Sequence, residues 1–391
     1  MTTPTIPAEE FADRRQRAVA AAKARGLDAL LVVSRGGGTL DRYGDVLYLS
    51  NFYTSFPYIP DFAGNWSARA HTFLLLPVGG APHLVIDVPD DGRIRLGDGR
   101  VEYTDFVLES VIAALSDAGL SAARVGLVGS DVLTVSMQAK LSEALPQLKF
   151  EAADDTVAML RRIKSPGEIA ALREASRIGS RMIEIMLDAA VPGATHGDVV
   201  AAGLGYLVPK GGILYNSFMA SGPGGDPARI RKTTFPTWGS REPLESGDWI
   251  RFGISGAVNG YMFDLARAQA VGPVSVRQIE LFDAAVDCVE TTIRRIRPGV
   301  TAGELGEAGL GRQQALGFRV DGVFSAMGHG LGLGWDDPWL ARGVDTKIEK
   351  DMVLCVERGI SDNGYLGDFE ETVLVTDEGC ELLTDARIRC W

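Results

Sequence analysis

The sequence predicts an α+β protein in two parts: an N-terminal α/β layer and a longer C-terminal unit built from a duplicated helix–helix–sheet pattern. Three observations carry this. Strand-like and helix-like segments alternate over the first 150 or so residues. A strong helix start, Ser165-Pro166-Gly167-Glu168, then marks a change of grammar. The order long helix, Pro-Gly-x-Thr turn, second helix, strands occurs twice, about 106 residues apart, which points to an internal duplication. The expected domains are residues 1–158 and 159–391.

In chain order, residues 8–26 read as an amphipathic helix closed by Gly26, and Ala29–Val33 as an apolar strand. Val46–Phe52 is expected to be a short buried strand entering a long aromatic loop, Tyr53–His71, which carries Phe56, Tyr58, Phe62, Trp66, Arg69 and His71. Connections of that length are often functional. Strands follow at Thr72–Leu76 and His83–Asp87, a helix near Phe106–Gly119 and a strand at Val125–Gly129. Behind Ser165, apolar residues at helical spacing from Ile169 to Ile185 predict a helix to about Ala190, and Thr195 caps the next. Downstream, Ser275 with Gln278 caps a helix to about Ile296, and Thr301 with Glu304 forms a capping box after the second Pro-Gly turn. Sheet-like segments follow each pair: Ile213–Ala220 and Trp249–Ala270, then Phe318–Val323 and Met352–Val375. His196 and His83 are expected to be exposed.

Composition narrows the function classes. Hydrophobic content of 46% and charged content of 23% over 391 residues are those of an ordinary globular protein. A net charge of −12, with no basic stripe, argues against nucleic acid as a partner. No run approaches the roughly 20 apolar residues of a membrane span, and residues 1–10 do not read as a signal peptide. Cys288, Cys355, Cys380 and Cys390 lack CxxC spacing and read as reduced thiols, so a cytoplasmic location with no membrane partner is expected.

The chemistry centres on Gly328-His329-Gly330-Leu331-Gly332-Leu333-Gly334. Alternate glycines let backbone approach closely, and His329 is the one nitrogen ligand in their midst. Strand-like segments elsewhere carry Asp264, Glu357 and Glu370. One imidazole with three carboxylates suits a divalent cation such as Mn, Fe, Co or Zn. If the duplicated halves bring their sheets together, Asp264 comes from one half and the other three residues from the second. Without a metal, carboxylates at close range raise one another's pKa, and Glu357 or Glu370 could serve directly in acid–base work.

Five motifs stand in one order: Arg162-Ile163-Lys164-Ser165 with Glu168-Ile169; the Pro-Gly-x-Thr turns; Asn259-Gly260-Tyr261 before Asp264; the Gly-His-Gly stretch with Glu357; and Glu370 ahead of Thr372–Thr376. On these the chain resembles the pita-bread superfamily of creatinase, prolidase, aminopeptidase P and methionine aminopeptidase, over about residues 160–385. The preceding segment looks like the creatinase and prolidase N-terminal domain. The resemblance implies metal ligands Asp264, His329, Glu357 and Glu370. The superfamily's peptidases hold two metals, and the further aspartate they use falls on Gly253, so at most one metal position is expected to survive. Both helper histidines of the peptidases are missing as well. The Ser221–Gly225 turn region offers Arg229, Arg231 and Lys232 instead, and the second histidine falls on Asp336.

These departures favour a creatinase-like hydrolase that cleaves a C–N bond in a small carboxylate-bearing substrate, with Glu357, Glu370 and His329 as catalytic residues. Arg229, Arg231 and Arg358 are the expected anion binders, while Arg267 is expected to tie down a carboxylate. By resemblance the protein is a homodimer whose N-terminal domain, through Phe62, Trp66, Arg69 or His71, completes the partner's site. The alternatives are a mono-metal Xaa-Pro dipeptidase or aminopeptidase, a lyase on the same scaffold, or a non-catalytic binding protein.

Overall fold

A computed structural model describes residues 6–36, 43–223, 232–233, 241–320, 324–389 and 391. The chain divides into two compact units, one of residues 5–161 and one containing residues 162–391.

The N-terminal unit is one six-stranded mixed sheet. Its strands are β1 (Ala29–Arg35), β2 (His71–Pro77), β3 (His83–Ile86), β4 (Arg100–Tyr103), β5 (Arg124–Val128) and β6 (Lys149–Ala152), in the order β4-β3-β2-β1-β5-β6. β1 pairs antiparallel with β2 and parallel with β5. The helices are α1 (Ala8–Ala24), α2 (Gly44–Ser50), α3 (Val107–Asp117), α4 (Val135–Ala144) and α5 (Asp154–Arg162). Alternate residues of β1 and β2 (Leu31, Val33, Phe73, Leu75) pack with Val111 and Leu115 of α3 and Leu141 of α4. The run expected as a strand at Val46–Phe52 is instead helix α2, ended by Asn51 in the left-handed conformation at φ 59°. A short apolar run has no period of its own, and here the turn residue decides. β4, α4, β6 and α5 carried too little apolar patterning to be read from the sequence.

In the second unit, α6 (Pro166–Ala189) and α7 (His196–Leu207) precede β7 (Gly212–Gly222), β8 (Lys232–Thr233), β9 (Asp248–Val258) and β10 (Tyr261–Val271). The second half repeats the plan with α8 (Val276–Ile293), α9 (Ala302–Ala315), β11 (Gly328–Leu331), β12 (Trp335–Asp336), β13 (Val353–Asp362), β14 (Tyr365–Val375) and β15 (Cys380–Leu382). The two antiparallel sheets have the orders β10-β9-β7-β8 and β12-β11-β13-β14-β15. Residues 318–320 form no strand, and 321–323 lie outside the described residues, so the sheet expected at Phe318–Val323 is replaced by the Gly-His-Gly strand itself.

The duplication is visible in the hydrogen bonds. All four helix starts carry reciprocal capping boxes: Ser165/Glu168, Thr195/Asp198, Ser275/Gln278 and Thr301/Glu304. Each Pro-Gly turn docks the same way, Gly193 N–H onto the Leu244 carbonyl and Gly299 N–H onto the Ile348 carbonyl, both at 2.9 Å. Each half has its own apolar core. Met182, Met186, Phe252 and Phe263 pack in the first, and Phe282, Met327, Leu354 and Phe369 in the second.

The halves are joined through β10 and β14. The Thr372 hydroxyl donates to the Asp264 carbonyl at 2.8 Å, and the Arg267 guanidinium donates to the Glu370 carbonyl at 2.6 Å. The seam therefore runs directly behind two of the expected ligands.

Candidate metal centre

Register alone puts most of the site on one face. In the β13–β14 ladder Glu357 lies opposite Glu370 and Cys355 opposite Thr372; in the β11–β13 ladder His329 lies opposite Cys355. Cross-strand partners share a face, as do residues two apart, so these side chains project together. Asp264 reaches the same place from β10, opposite Ser255 of β9.

The structure brings Asp264, His329, Glu370 and Cys355 together: each offers a ligand atom, and these atoms lie within 4.8 Å of one another. All four residues are buried. The thiol was not among the residues expected from the sequence; its place two before Glu357 on a strand signals a shared face and no more. Glu357 stands at the more open edge, its Oε1 3.7 Å from His329 Nε2. The other near carboxylate oxygen, Asp264 Oδ2, is 3.8 Å from Nε2. His329 Nδ1 hydrogen-bonds the Gly330 carbonyl at 2.9 Å, which requires the proton on Nδ1 and leaves the Nε2 lone pair facing the carboxylates. Burial holds this imidazole below its ordinary pKa and so neutral.

The carboxylates are pushed the other way. Burial raises Asp264 to about 7, against hydrogen bonds from the Trp335 indole and from Ser255. Burial and then the neighbouring Asp264 and Asp368 raise Glu357 to about 8. Glu370 is raised well above the usual range by burial, then by Asp264 and Glu357. A cluster of acids that burial and mutual repulsion keep protonated near neutrality is what a cation would relieve.

Gly328 is the backbone condition for this arrangement. It sits at φ +132°, and a Cβ there would collide with the Cys355 carbonyl across the ladder. Gly328→Ala is expected to lower stability by about 1–3 kcal/mol and to displace His329. Thermal melting with and without added metal reads both effects, and an unchanged melting temperature would contradict them.

Other expected residues lie elsewhere. Arg358 alternates to the opposite face of β13 from Glu357. It is buried and donates to Gln313 Oε1 at 2.6 Å and to the carbonyls of Phe324 and Ala326, so its role as substrate binder is corrected to a structural one. Arg229 and Arg231 lie outside the described residues. In the N-terminal unit Arg69 pairs with Asp105 and stacks on Phe56 at 3.9 Å, while Phe62 is 55% exposed with its ring 5.3 Å from that of Trp66. His71 is 1% exposed with Nδ1 on the Arg69 carbonyl, so it is packed inside its own unit rather than presented outward. His83 is half-buried against Glu102 at 3.0 Å. His196, expected to be exposed, is fully buried with Nε2 2.8 Å from the Ser221 hydroxyl, because α7 turns its first residue against β7. Asp336 is held by Lys164 at 3.2 Å in a buried ion pair.

Sequence reasoning also missed the aromatic rim. Trp335 and Trp339 place their ring centroids 6.2 and 5.3 Å from that of His329. Tyr215 packs on Trp335 and Phe324 on Trp339. Both tryptophans remain 43–45% exposed, so one side of the centre opens onto apolar surface.

Residues 170–377 match metallopeptidase family M24, and residues 14–163 match the creatinase/prolidase N-terminal domain. The chain belongs to metallopeptidase family M24, on the pita-bread scaffold, and the expected hydrolase class stands with that membership. It is 29% identical over 262 residues to an uncharacterized hydrolase/peptidase, y4tL, of Sinorhizobium fredii, a match covering 64% of each chain. It is 26% identical to the Xaa-Pro dipeptidase of Pyrococcus furiosus, over 66% of this chain and 73% of that one. Among solved structures, the prolidase of Thermococcus sibiricus superposes with a TM-score of 0.81 at 18% identity, covering 99% of this chain and 100% of that one. The dipeptidase PepE of Mycobacterium ulcerans gives 0.77 at 24% identity, covering 98% and 99%.

These relatives overturn the expectation of creatinase-like, non-peptidase hydrolysis. That expectation rested on Gly253, the missing helper histidines and the arginines of the turn region. The peptidases and dipeptidases among the relatives, together with a compact group at Asp264, His329, Cys355 and Glu370 that could hold a metal, favour the peptidase alternative.

Proposed function

We propose that this chain is a metal-dependent peptidase of short peptides, acting as a dipeptidase or aminopeptidase. One observation carries the reading: a buried neutral imidazole aims an unshared Nε2 lone pair into a group of carboxylates that burial pushes toward their protonated forms. Imidazole and carboxylate donors fit Mn, Fe, Co or Zn. Asp264, His329 and Glu370 would hold the cation. Bound there, it supplies polarisation of the scissile carbonyl and a more acidic attacking water.

Glu357, at the open edge and raised to about 8, is placed to accept the water proton and return it to the leaving amine. Arg251, ion-paired with Asp368, sets a positive charge near Glu357 that tempers this shift. Trp335 and Trp339 offer apolar packing to a substrate side chain. The test is turnover of a panel of Xaa-Pro and other dipeptides and tripeptides by chelator-treated protein, before and after restoring cobalt or manganese. Hydrolysis that returns with the metal is expected; a metal-loaded protein inactive on the whole panel would refute the reading.

The single-metal expectation belongs to the same proposal. Gly253 on β9 has no ligand atom, and a Cβ there would meet only Ala266, at 4.0 Å, so space for a longer side chain exists. Gly253→Asp is expected to raise bound metal from about one equivalent toward two by elemental analysis; an unchanged stoichiometry would count against this account of the position.

Linkage gives a pH signature. The metal-free fold keeps Asp264 and Glu357 protonated up to about 7 and 8, whereas an unfolded carboxylate loses its proton near pH 4. The folded state thus binds more protons across this interval, and stability without metal falls as pH rises through it. A cation displaces those protons, so the rise in Tm on adding manganese is expected to be larger at pH 8.5 than at pH 6.

A homodimer and a cytoplasmic location complete the proposal. The exposed Phe62 beside Trp66 supports a partner contact through the N-terminal domain, and the free Cys288, Cys355 and Cys380 suit a reducing compartment. No helix among the described residues is long and apolar enough to cross a membrane. Sedimentation of the wild type and a Phe62→Asp variant tests the dimer, and a monomeric wild type with full activity would sink it.

A further inference from the structure

We propose that the Cys355 thiol is an additional ligand of the cation held by Asp264, His329 and Glu370, making the centre a mixed sulfur, nitrogen and oxygen site that takes zinc or cobalt(II) in preference to manganese. The proposal rests on the metal reading above. It adds the identity of one donor and the class of ion that donor selects.

Geometry places the sulfur there. Cys355 lies opposite His329 in one ladder and opposite Thr372 in the next, so its side chain must point into the same space as the imidazole. Sγ is among the four ligand atoms that lie within 4.8 Å of one another, whereas Glu357 is not in that set. Its hydrogen-bond contact there is long, 3.4 Å to the Thr372 hydroxyl, and a thiol–hydroxyl contact is weak enough to yield to a metal.

The second observation is independent of the cysteine. His329 is 4% exposed, and its Nε2 finds no hydrogen-bond partner among the described residues, the nearest carboxylate oxygens being at 3.7 and 3.8 Å. A nearly fully buried side chain whose nitrogen is left this way marks the middle of the group as a place for a cation rather than for packed side chains. Four donors match the tetrahedral coordination zinc prefers, and drawing them onto ligand bonds of about 2.0–2.3 Å needs only modest inward movement.

The other described cysteines sit differently. Cys288 is in the apolar core of the second half, and Cys380 Sγ faces the Ile293 carbonyl at 3.6 Å. Ligation by Cys355 forms a metal–sulfur bond, breaks the S–H bond and releases one proton to solvent. No electrons are transferred. Because thiolate is the softest donor in the set, it shifts selectivity toward thiophilic ions, while manganese gains little from it.

The test uses the full chain, stripped of metal and titrated with cobalt(II) under reducing, anaerobic conditions. A sulfur-to-cobalt charge-transfer band in the near ultraviolet should grow to one equivalent and stop. It should vanish in Cys355→Ser and Cys355→Ala. It should persist when Cys288, Cys380 and Cys390 are all replaced by alanine. In metal competition, Cys355→Ser should weaken zinc binding by about ten-fold or more with little change for manganese. Circular dichroism of both Cys355 variants confirms that they fold, and the wild-type spectrum stands even if they do not. One equivalent of bound cobalt without the band, or a band that survives in Cys355→Ser, overturns the proposal and leaves the metal reading intact. No cobalt binding by the wild type would instead remove the metal reading, and this inference with it.

Discussion

Replacing His329 with alanine is expected to abolish stoichiometric metal binding and to lower kcat/KM for a dipeptide by on the order of a thousand-fold, about 4 kcal/mol of transition-state stabilisation. In the group formed with Asp264, Cys355 and Glu370, His329 is the one nitrogen donor. Its Nδ1 bond to the Gly330 carbonyl sets the tautomer, so the backbone of its own strand prepares Nε2 for a cation. Remove the ring and the acids remain, each already pushed toward its protonated form by burial and by the others. Without imidazole they keep their protons at neutral pH instead of binding metal. The fold loses the Nδ1 bond and some packing against Trp335 and Trp339, so circular dichroism should confirm that the variant still folds. Metal analysis and steady-state kinetics should therefore move together. Activity within ten-fold of wild type would show that His329 is not part of the catalytic centre.

The largest expected loss of stability comes from Arg267→Met. This guanidinium is fully buried and donates, among its contacts, to the carbonyls of Ala266, Glu370, Ala386 and Arg387, and to Glu371 Oε1 at 2.7 Å. It also lies 4.6 Å from the centre of the Phe369 ring. Burial raises the Glu371 carboxyl, and Arg267 is the main influence that lowers it. Methionine fills much of the volume but leaves Glu371 without its counter-charge and several carbonyls without a donor, a loss of about 3–5 kcal/mol. Part of that should return on lowering the pH, because protonating Glu371 removes the buried charge. Adding Glu371→Gln should recover part of it at neutral pH, and denaturant unfolding of the two single variants and the double variant gives the coupling. Because one of the lost bonds holds the Glu370 carbonyl, Arg267→Met should also weaken metal binding. A loss under 1 kcal/mol would contradict this account.

Most of the architecture could be read from local chemistry. Ser165, Thr195, Ser275 and Thr301 announce their helices because a cap is satisfied by residues three apart, a relation that sequence displays directly. The repeated Pro-Gly-x-Thr turns announce the duplication for the same reason. Asp264, His329 and Glu370 were recognisable as a set because strand parity and motif order bring them to one face. Cys355 shows where such reading ends: nothing in its spacing from Glu357 says that its sulfur, rather than the carboxylate, falls inside the compact group. The exposure expected for His196 has a definite cause. It follows a polar, turn-like segment, and only the packing of α7 on β7 buries the ring.

The sequence by itself determined the two-part α+β organisation, the duplicated unit and three of the four residues that converge, since caps, periods and motif order act over a few residues. Only the tertiary structure decided which side chains share the centre. It brought the sulfur in, kept Glu357 at the edge, turned Arg358 away and set Trp335 and Trp339 at the rim. Those outcomes depend on register across β11, β13 and β14 and on the docking of two sheets, which are contacts between residues far apart in the chain.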